Sequence, residues 1–465
     1  MADSLGLTSI ESKPVFEPES PKSAPVELYP FQALSVTFMR ALEGALLADE
    51  AGLGKTAQSI RAAYDQTPVL IVCPNSLKYW WASEIKRWTL GSSPKVTIVD
   101  VSCRHNPDFW DKPAGFYIIH WEALRFDIAR IRKVHWGCVI ADEAQRMKNR
   151  KSQQSKAVRS IRAERRYALT ASPVINQPAD LWAILNFLYP RRYTGYWKWF
   201  NEYVLAIPQP FGGYEIVGIR NPEKLHAELK QFTIRRLKEN VLKDLRPKTH
   251  TTIPVELSPA QRKAYEQLKK DFVAVLPEGQ VIVTPTVLAQ LVRLRQVACG
   301  LHLIGGPEES TKLDAAEEII LDRNGAPTVV FSGFLGMVHG LARRLQERGL
   351  KVGVLVGETA LKERDQIVQG FQDGDIQVII ATPQTGGVGL TLTRTDTALF
   401  LDQSWSPAVQ AQAEDRLHRI GQRSAVQIIT LEARDTVEQR IRLLLAKKER
   451  LAGLVFPKDE FTRLL

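Results

Sequence analysis

Apolar positions in the first half of this chain fall into short unbroken runs, and stretches of helical periodicity separate them. Runs at Leu46 to Ala48, Val69 to Cys73, Val96 to Val99, Phe116 to Ile119, Trp136 to Ala141 and Tyr167 to Thr170 predict buried strands. Phe31, Leu34, Phe38 and Leu42 share one helical face, a second helix is predicted from Lys55 to Tyr64, and a third carries Trp80, Trp81, Ile85 and Trp88. Apolar strands separated by single helices are the pattern of a parallel sheet covered on both faces, so the fold class is α/β.

From Pro173 to about Leu313 the alternation loosens. A helix is predicted from Ala179 to Phe187, then an aromatic stretch from Tyr193 to Tyr203, a Pro/Gly segment from Pro208 to Gly213, and further helices, one of them capped by Ser258 ahead of Pro259. A second alternating set begins near Leu313. Its strands are predicted at Thr328 to Phe331, Val352 to Val356, Ile376 to Ala381, Ala398 to Leu401 and Val426 to Leu431, with helices from Leu335 to Glu347, Leu361 to Phe371 and Ala408 to His418. The resulting division is a flexible leader over 1–27, a first α/β domain over 28–245, a helical bridge over 246–311, a second α/β domain over 312–445 and a tail over 446–465.

Composition changes this picture in one respect. The 465 residues include 62 Lys and Arg against 51 Asp and Glu, a formal charge of +11 that favours a polyanionic partner, nucleic acid before an anionic membrane. The four cysteines have neither paired nor metal-ligand spacing, which places the chain in a reducing compartment. There is no secretory signal pattern, and no apolar run approaches bilayer length, so a cytoplasmic protein is expected, or a nuclear one if its source has a nucleus.

The chemistry gathers at two strand ends. Asp49-Glu50-Ala51-Gly52-Leu53-Gly54-Lys55-Thr56 follows the first strand and opens a helix. A turn of this kind points backbone N–H groups at a polyphosphate, with Lys55 reaching the β- and γ-phosphates of ATP and the Thr56 hydroxyl reaching Mg²⁺. Asp49 stands where the strict phosphate-loop pattern has glycine; Gly52 and Gly54 keep the freedom needed beside the lysine. Asp142 and Glu143 end the apolar run from Trp136, Asp142 on the metal side and Glu143 placed to orient and deprotonate water. In the second half, Gln412, Arg416 and Arg419 are spaced to share a helical face. Two arginines there could act as fingers on the transferring phosphoryl group, and Gly387, in the glycine-rich segment after a strand, allows close backbone approach, either to a nucleotide phosphate or to the domain interface. Nine cations between Arg146 and Arg166, opposed only by Glu164, suggest a track for a phosphate backbone, without sequence readout.

The order of these segments resembles the Swi/Snf-type ATPases of helicase superfamily 2. Tyr29-Pro30-Phe31-Gln32 is similar to the adenine-recognising Q region, Asp49 to Thr56 to the phosphate loop written DEMGLGKT, Pro74-Asn75 to motif Ia, Asp142-Glu143-Ala144-Gln145 with Lys148-Asn149 to the DEAH segment, and Leu169 to Pro173 with Asn176 to motif III. Phe232 to Lys238 resembles helical parts ahead of the second domain, Gly386 to Leu390 resembles motif V, and Gln412 to Gln422 motif VI. The resemblance implies two tandem RecA-like parallel-sheet domains around a largely helical insertion. It also implies ATP and Mg²⁺ as ligands, Gln32 on the base, and DNA contacts at Pro74, Asn75, Lys148, Asn149, Arg150 and Lys151. The activity implied is DNA-stimulated ATP hydrolysis driving movement along double-stranded DNA, or displacement of a bound protein, without strand separation. A strand-separating or annealing DNA/RNA helicase and an ATP-gated clamp remain the alternatives, and a monomer of minimal bacterial or phage type suffices for any of them. Gln145 in place of histidine and Ala171-Ser172 in place of Gly-Thr depart from the family pattern at positions that couple hydrolysis to domain movement.

Overall fold

The computed structural model describes residues 27–89, 94–101, 103, 106, 109–111, 113–174, 177–209, 213–242, 244–275, 281–283, 286–386, 392–404, 406–419 and 421–456. Asn176, Gly387 and nearly all of the expected leader lie outside the described residues.

The chain lays down β1 (Gly44–Leu47), β2 (Val69–Cys73), β3 (Val96–Ile98), β4 (Phe116–His120), β5 (Trp136–Asp142), β6 (Ala163–Leu169), β7 (Val204–Pro208), β8 (Tyr214–Ile219) and β9 (Thr233–Ile234). Seven of these form one sheet in the order β3-β4-β2-β5-β6-β1-β9, every neighbouring pair parallel. Two apolar clusters cover its faces. One is centred on Trp121, Trp136 and Phe187, the other on Trp81, Ile85 and Tyr167. Burial on both sides is why these strands read as unbroken apolar runs rather than alternating ones.

The second sheet is built from β10 (Lys248–Val255), then, after a small antiparallel pair β11 (Val273–Val275) and β12 (Val281–Val283), from β13 (Thr328–Phe331), β14 (Val352–Leu355), β15 (Val378–Ala381), β16 (Thr397–Phe400) and β17 (Val426–Ala433). Its order is β10-β17-β16-β13-β15-β14, again all parallel. Between the sheets stand the helices Pro259–Asp271 and Val287–Cys299, whose apolar faces meet Val437, Ile441 and Leu445 of the final helix Val437–Val455. That helix ends against the first lobe, with Val455 and Phe456 buried in its core and Leu454 O accepting from His226 Nε2 at 2.8 Å. No helix among the described residues is long and apolar enough to cross a membrane.

Three sequence expectations change. Phe232 to Lys238 was expected to be helical, but Thr233–Ile234 is an edge strand beside β1, and helix starts only at Lys238. Lys248–Val255, with an exposed Thr-His-Thr-Thr run over 249–252, is the edge strand of the second sheet, so that sheet starts well before Leu313. The Pro/Gly segment joins the two strands of an antiparallel hairpin, β7 and β8.

Candidate active site

In parallel sheets the C-terminal strand ends converge on one edge, and the chemistry of the first lobe lies there. β1 runs into the phosphate loop, which turns through Gly52 at φ +87° and Gly54 at φ +77° before the helix Lys55–Ala63 begins. A Cβ on Gly54 would lie 2.4 Å from Gln32 Nε2, so side chain and loop are in direct contact. Lys55 is half-buried, and Nζ donates to the carbonyls of Asp49 and Glu50 at 2.7 and 3.1 Å. Burial pushes its pKa below the usual lysine value, with Asp49, Glu143 and Asp142 opposing. Thr56 is the second residue of the same helix, half-buried at the loop mouth.

Asp49, at the position of the missing glycine, is fully buried in an ion pair. Arg236 grips it through Nε at 3.0 Å and Nη2 at 2.8 Å, and the Arg236 backbone N–H adds a third bond at 3.0 Å. The same guanidinium reaches Phe31 O, Ser35 Oγ and Gln58 Oε1, fastening the loop to the first helix and to β9. Two adjacent arginines after the apolar Phe232 to Ile234 were the available signal.

At the end of β5, Asp142 and Glu143 sit beside the loop. Asp142 Oδ2 accepts from Trp81 Nε1 at 2.9 Å, and Oδ1 accepts from the Glu143 N–H at 2.9 Å. Burial, then the neighbouring Glu143 charge, raises the Asp142 pKa to about 7. Two adjacent half-buried carboxylates repel one another, which a divalent cation would relieve, and each Asp142 oxygen keeps acceptor capacity for a cation or its water. Glu143 adopts a left-handed backbone at φ +54°, uncommon for a residue with a Cβ and found at sites where the surroundings dictate it. Here those surroundings are two amides. Gln145 Nε2 donates to Glu143 Oε2, and Gln412 Nε2, arriving from the second lobe, donates to Oε1 and Oε2 at 2.9 Å each.

The second lobe therefore closes on the first. Gln412 lies in the helix Pro407–Glu414, but that helix ends at Glu414, and Arg416 and Arg419 follow in turns rather than on the helical face their spacing suggested. The helix stops where Asp415, Leu417 and Gln422 turn inward, with Gln422 Nε2 donating to the carbonyls of Thr393, Thr395 and Leu417. Arg416 Nε donates to Gln412 O at 3.3 Å, and burial lowers its pKa against the pull of Glu143, Asp415 and Asp142. Arg419 stands over the phosphate loop: a Cβ on Gly52 would lie 3.1 Å from Arg419 Cβ. Burial and the adjacent Arg416 bring its pKa down to about 10, which leaves it cationic at neutral pH.

Two other groups of expected residues are placed differently. Gln32 has both ends of its amide engaged, Oε1 with the Tyr29 N–H and Nε2 with Leu53 O, so it braces the loop in this state. Of the expected DNA contacts, Asn75, Lys148, Asn149 and Lys151 are exposed at the ends of β2 and β5, while Pro74 is buried. The Arg150 guanidinium stacks over Tyr196 at 3.8 Å, and Arg159 is tied to Asn186 and to Arg150 O, so the basic run is partly internal.

Residues 31–303 match the SNF2-related domain, and residues 311–421 match the helicase conserved C-terminal domain. The chain belongs to the SNF2 family. It is 30% identical over 449 residues to an uncharacterized ATP-dependent helicase of Mycoplasma pneumoniae, covering 92% of this chain and 42% of the relative. It is 29% identical over 474 residues to the human SWI/SNF-related matrix-associated actin-dependent regulator of chromatin subfamily A member 1, covering 94% of this chain and 44% of the relative. The SWI2/SNF2 ATPase core of Sulfolobus solfataricus, solved in complex with double-stranded DNA, is 27% identical and covers 97% of each chain with a TM-score of 0.43. The chain thus spans about two fifths of the length of the curated relatives it matches. Within the SNF2 pattern, Gln145 takes the place of histidine and puts an amide donor, which stays neutral at every pH, on Glu143.

Proposed function

We propose that this SNF2-family chain hydrolyses ATP and uses opening and closing of its two lobes to move along double-stranded DNA without separating the strands. The observation that carries this reading is the contact of Gln412 with Glu143, which joins the water-activating carboxylate of one lobe to the arginine-bearing segment of the other. Thr56 and Asp142 would hold Mg²⁺, which when bound neutralises charge on the β- and γ-phosphates. Lys55 leaves its carbonyl partners for the same phosphates, and the backbone N–H groups around Gly52 and Gly54 cradle them. Glu143 orients and deprotonates the attacking water, while Arg416 and Arg419 stabilise charge that grows on the transferring group. Gln412 senses the state of Glu143, so hydrolysis loosens the grip between the lobes.

DNA as the track is supported by the net charge of +11 and by the exposed cations Lys148 and Lys151 at the catalytic edge of the sheet. The human relative is named a regulator of chromatin, which is DNA with proteins bound to it, and we assign the same class of partner here. The protein works in the cytoplasm, or in the nucleus of a nucleated cell. The test is steady-state ATP hydrolysis without nucleic acid and with single-stranded DNA, duplex DNA, forked DNA and duplex RNA, alongside triplex displacement and duplex unwinding. Stimulation by duplex DNA with triplex displacement but no unwinding is the expected result. Stimulation by RNA alone, or unwinding of an annealed strand, would overturn it.

A further inference from the structure

Lys238 is one of the largest fully enclosed side chains in the molecule, although lysine is the residue most easily left in water. It is the first residue of a short helix after β9, and its backbone N–H donates to Glu50 Oε2 of the phosphate loop at 2.7 Å. Two further main-chain bonds fix this stretch to the loop strand, Ala48 N to Ile234 O at 2.7 Å and Glu50 N to Arg236 O at 2.9 Å. The base of Lys238 therefore moves with the phosphate loop. Its stem passes under the loop, where a Cβ on Gly52 would lie 3.4 Å from Lys238 Cε. Its tip belongs to the other lobe: Nζ donates to Asp415 Oδ1 at 2.6 Å and to the carbonyl of His418.

Asp415 directly precedes Arg416, and His418 directly precedes Arg419. Both arginines lie beyond the helix end, in a turn held by scattered backbone bonds such as Arg416 N to Ala413 O at 3.2 Å and Leu392 N to Arg416 O at 3.0 Å, all of them within the second lobe, so none of these bonds sets the turn against the phosphate loop. A buried ion pair adds little net stability over a well-packed apolar pair, so one kept in this place is better explained by the geometry it imposes. We infer that Lys238 is a positioning residue, a strut that ties the phosphate loop to the turn bearing Arg416 and Arg419 and so sets both guanidinium groups against the nucleotide site.

The inference rests on the ATPase reading above for its kinetic consequence, but the strut itself is measurable without turnover. In the full chain, Lys238→Met keeps the length of the side chain and removes its three donors, while Asp415→Asn keeps an acceptor oxygen of the same size. Each variant is expected to lose roughly 10- to 10³-fold in kcat for DNA-stimulated hydrolysis, the upper figure matching the smallest effect typical of an arginine finger. KM for ATP and the affinity for a fluorescent ADP analogue should stay within about threefold, because the phosphate loop is untouched. The double variant should lose no more than the worse single one, as residues acting through one contact do not add. In nucleotide-free protein, hydrogen exchange should quicken over 412–419 in both variants while β1 and β5 keep their protection. Unchanged exchange over 412–419, or unchanged kcat in Lys238→Met while the parent protein hydrolyses ATP, overturns the strut. If the parent protein proves inactive with every nucleic acid, the ATPase reading fails and the exchange result alone decides: lost protection supports the strut, and retained protection removes it.

Discussion

The two lobes share a parallel-sheet plan, yet they hold their chemistry by different means. In the first, Lys55 and Asp142 follow from strand ends, and backbone geometry does most to fix them: two left-handed glycines and the hydrogen bonds of a strand buried on both faces. In the second, Arg416 and Arg419 come after their helix has ended, and side-chain contacts join a few backbone bonds, among them Leu392 N to Arg416 O at 3.0 Å, in holding the turn that bears them. Lys238 grips Asp415, Lys248 and His250 grip Glu414, and Arg246 O accepts from His418 Nε2. A site fixed by backbone is ready before substrate arrives. A site held largely by side chains can be assembled and released, as the proposed cycle of opening and closing would require.

The contrast can be broken by changing residues on either side of the cleft. After the arginine fingers themselves, the largest expected effect is on the fixed side: Glu143→Gln should cut DNA-stimulated turnover by about 10² to 10⁴ while leaving ADP affinity intact, since only the proton acceptor is lost. Next comes Arg236→Met, which leaves Asp49 buried without its partner. It should destabilise the first lobe by about 3 to 5 kcal/mol, seen as a lower midpoint for the first unfolding transition, with the second lobe unaffected. Gln412→Ala tests the joint between the halves. Loss of hydrogen bonds to a charged group should cost roughly tenfold in kcat with KM for ATP nearly constant, and a rise in KM alone would mean that the contact serves binding only. The smallest effect is expected at the exposed cations: Lys148→Ala with Lys151→Ala should weaken duplex binding a few-fold and flatten its dependence on log salt by roughly 0.9 for each phosphate no longer neutralised.

Much of the fixed side was legible in the sequence, because a doubly buried strand ending in Asp-Glu, or in a glycine turn with Lys-Thr, leaves a local trace. What escaped depends on residues far apart in the chain. Asp49 and Arg236 are 187 positions apart, and no spacing rule links them. β10 was hidden because an edge strand facing water carries Lys, Thr and His instead of an apolar run. β9 is two residues long, too short for any periodicity. The end of the Pro407–Glu414 helix went unread because no glycine or proline marks it; the helix yields where Asp415 turns to meet a lysine of the other lobe.

Arg419→Ala, assayed for ATP hydrolysis on saturating duplex DNA with ADP binding measured in parallel, tests most directly whether the second lobe completes the site. The account predicts a loss of about 10³ to 10⁵ in turnover with ADP affinity unchanged. Turnover equal to that of the parent protein would contradict it.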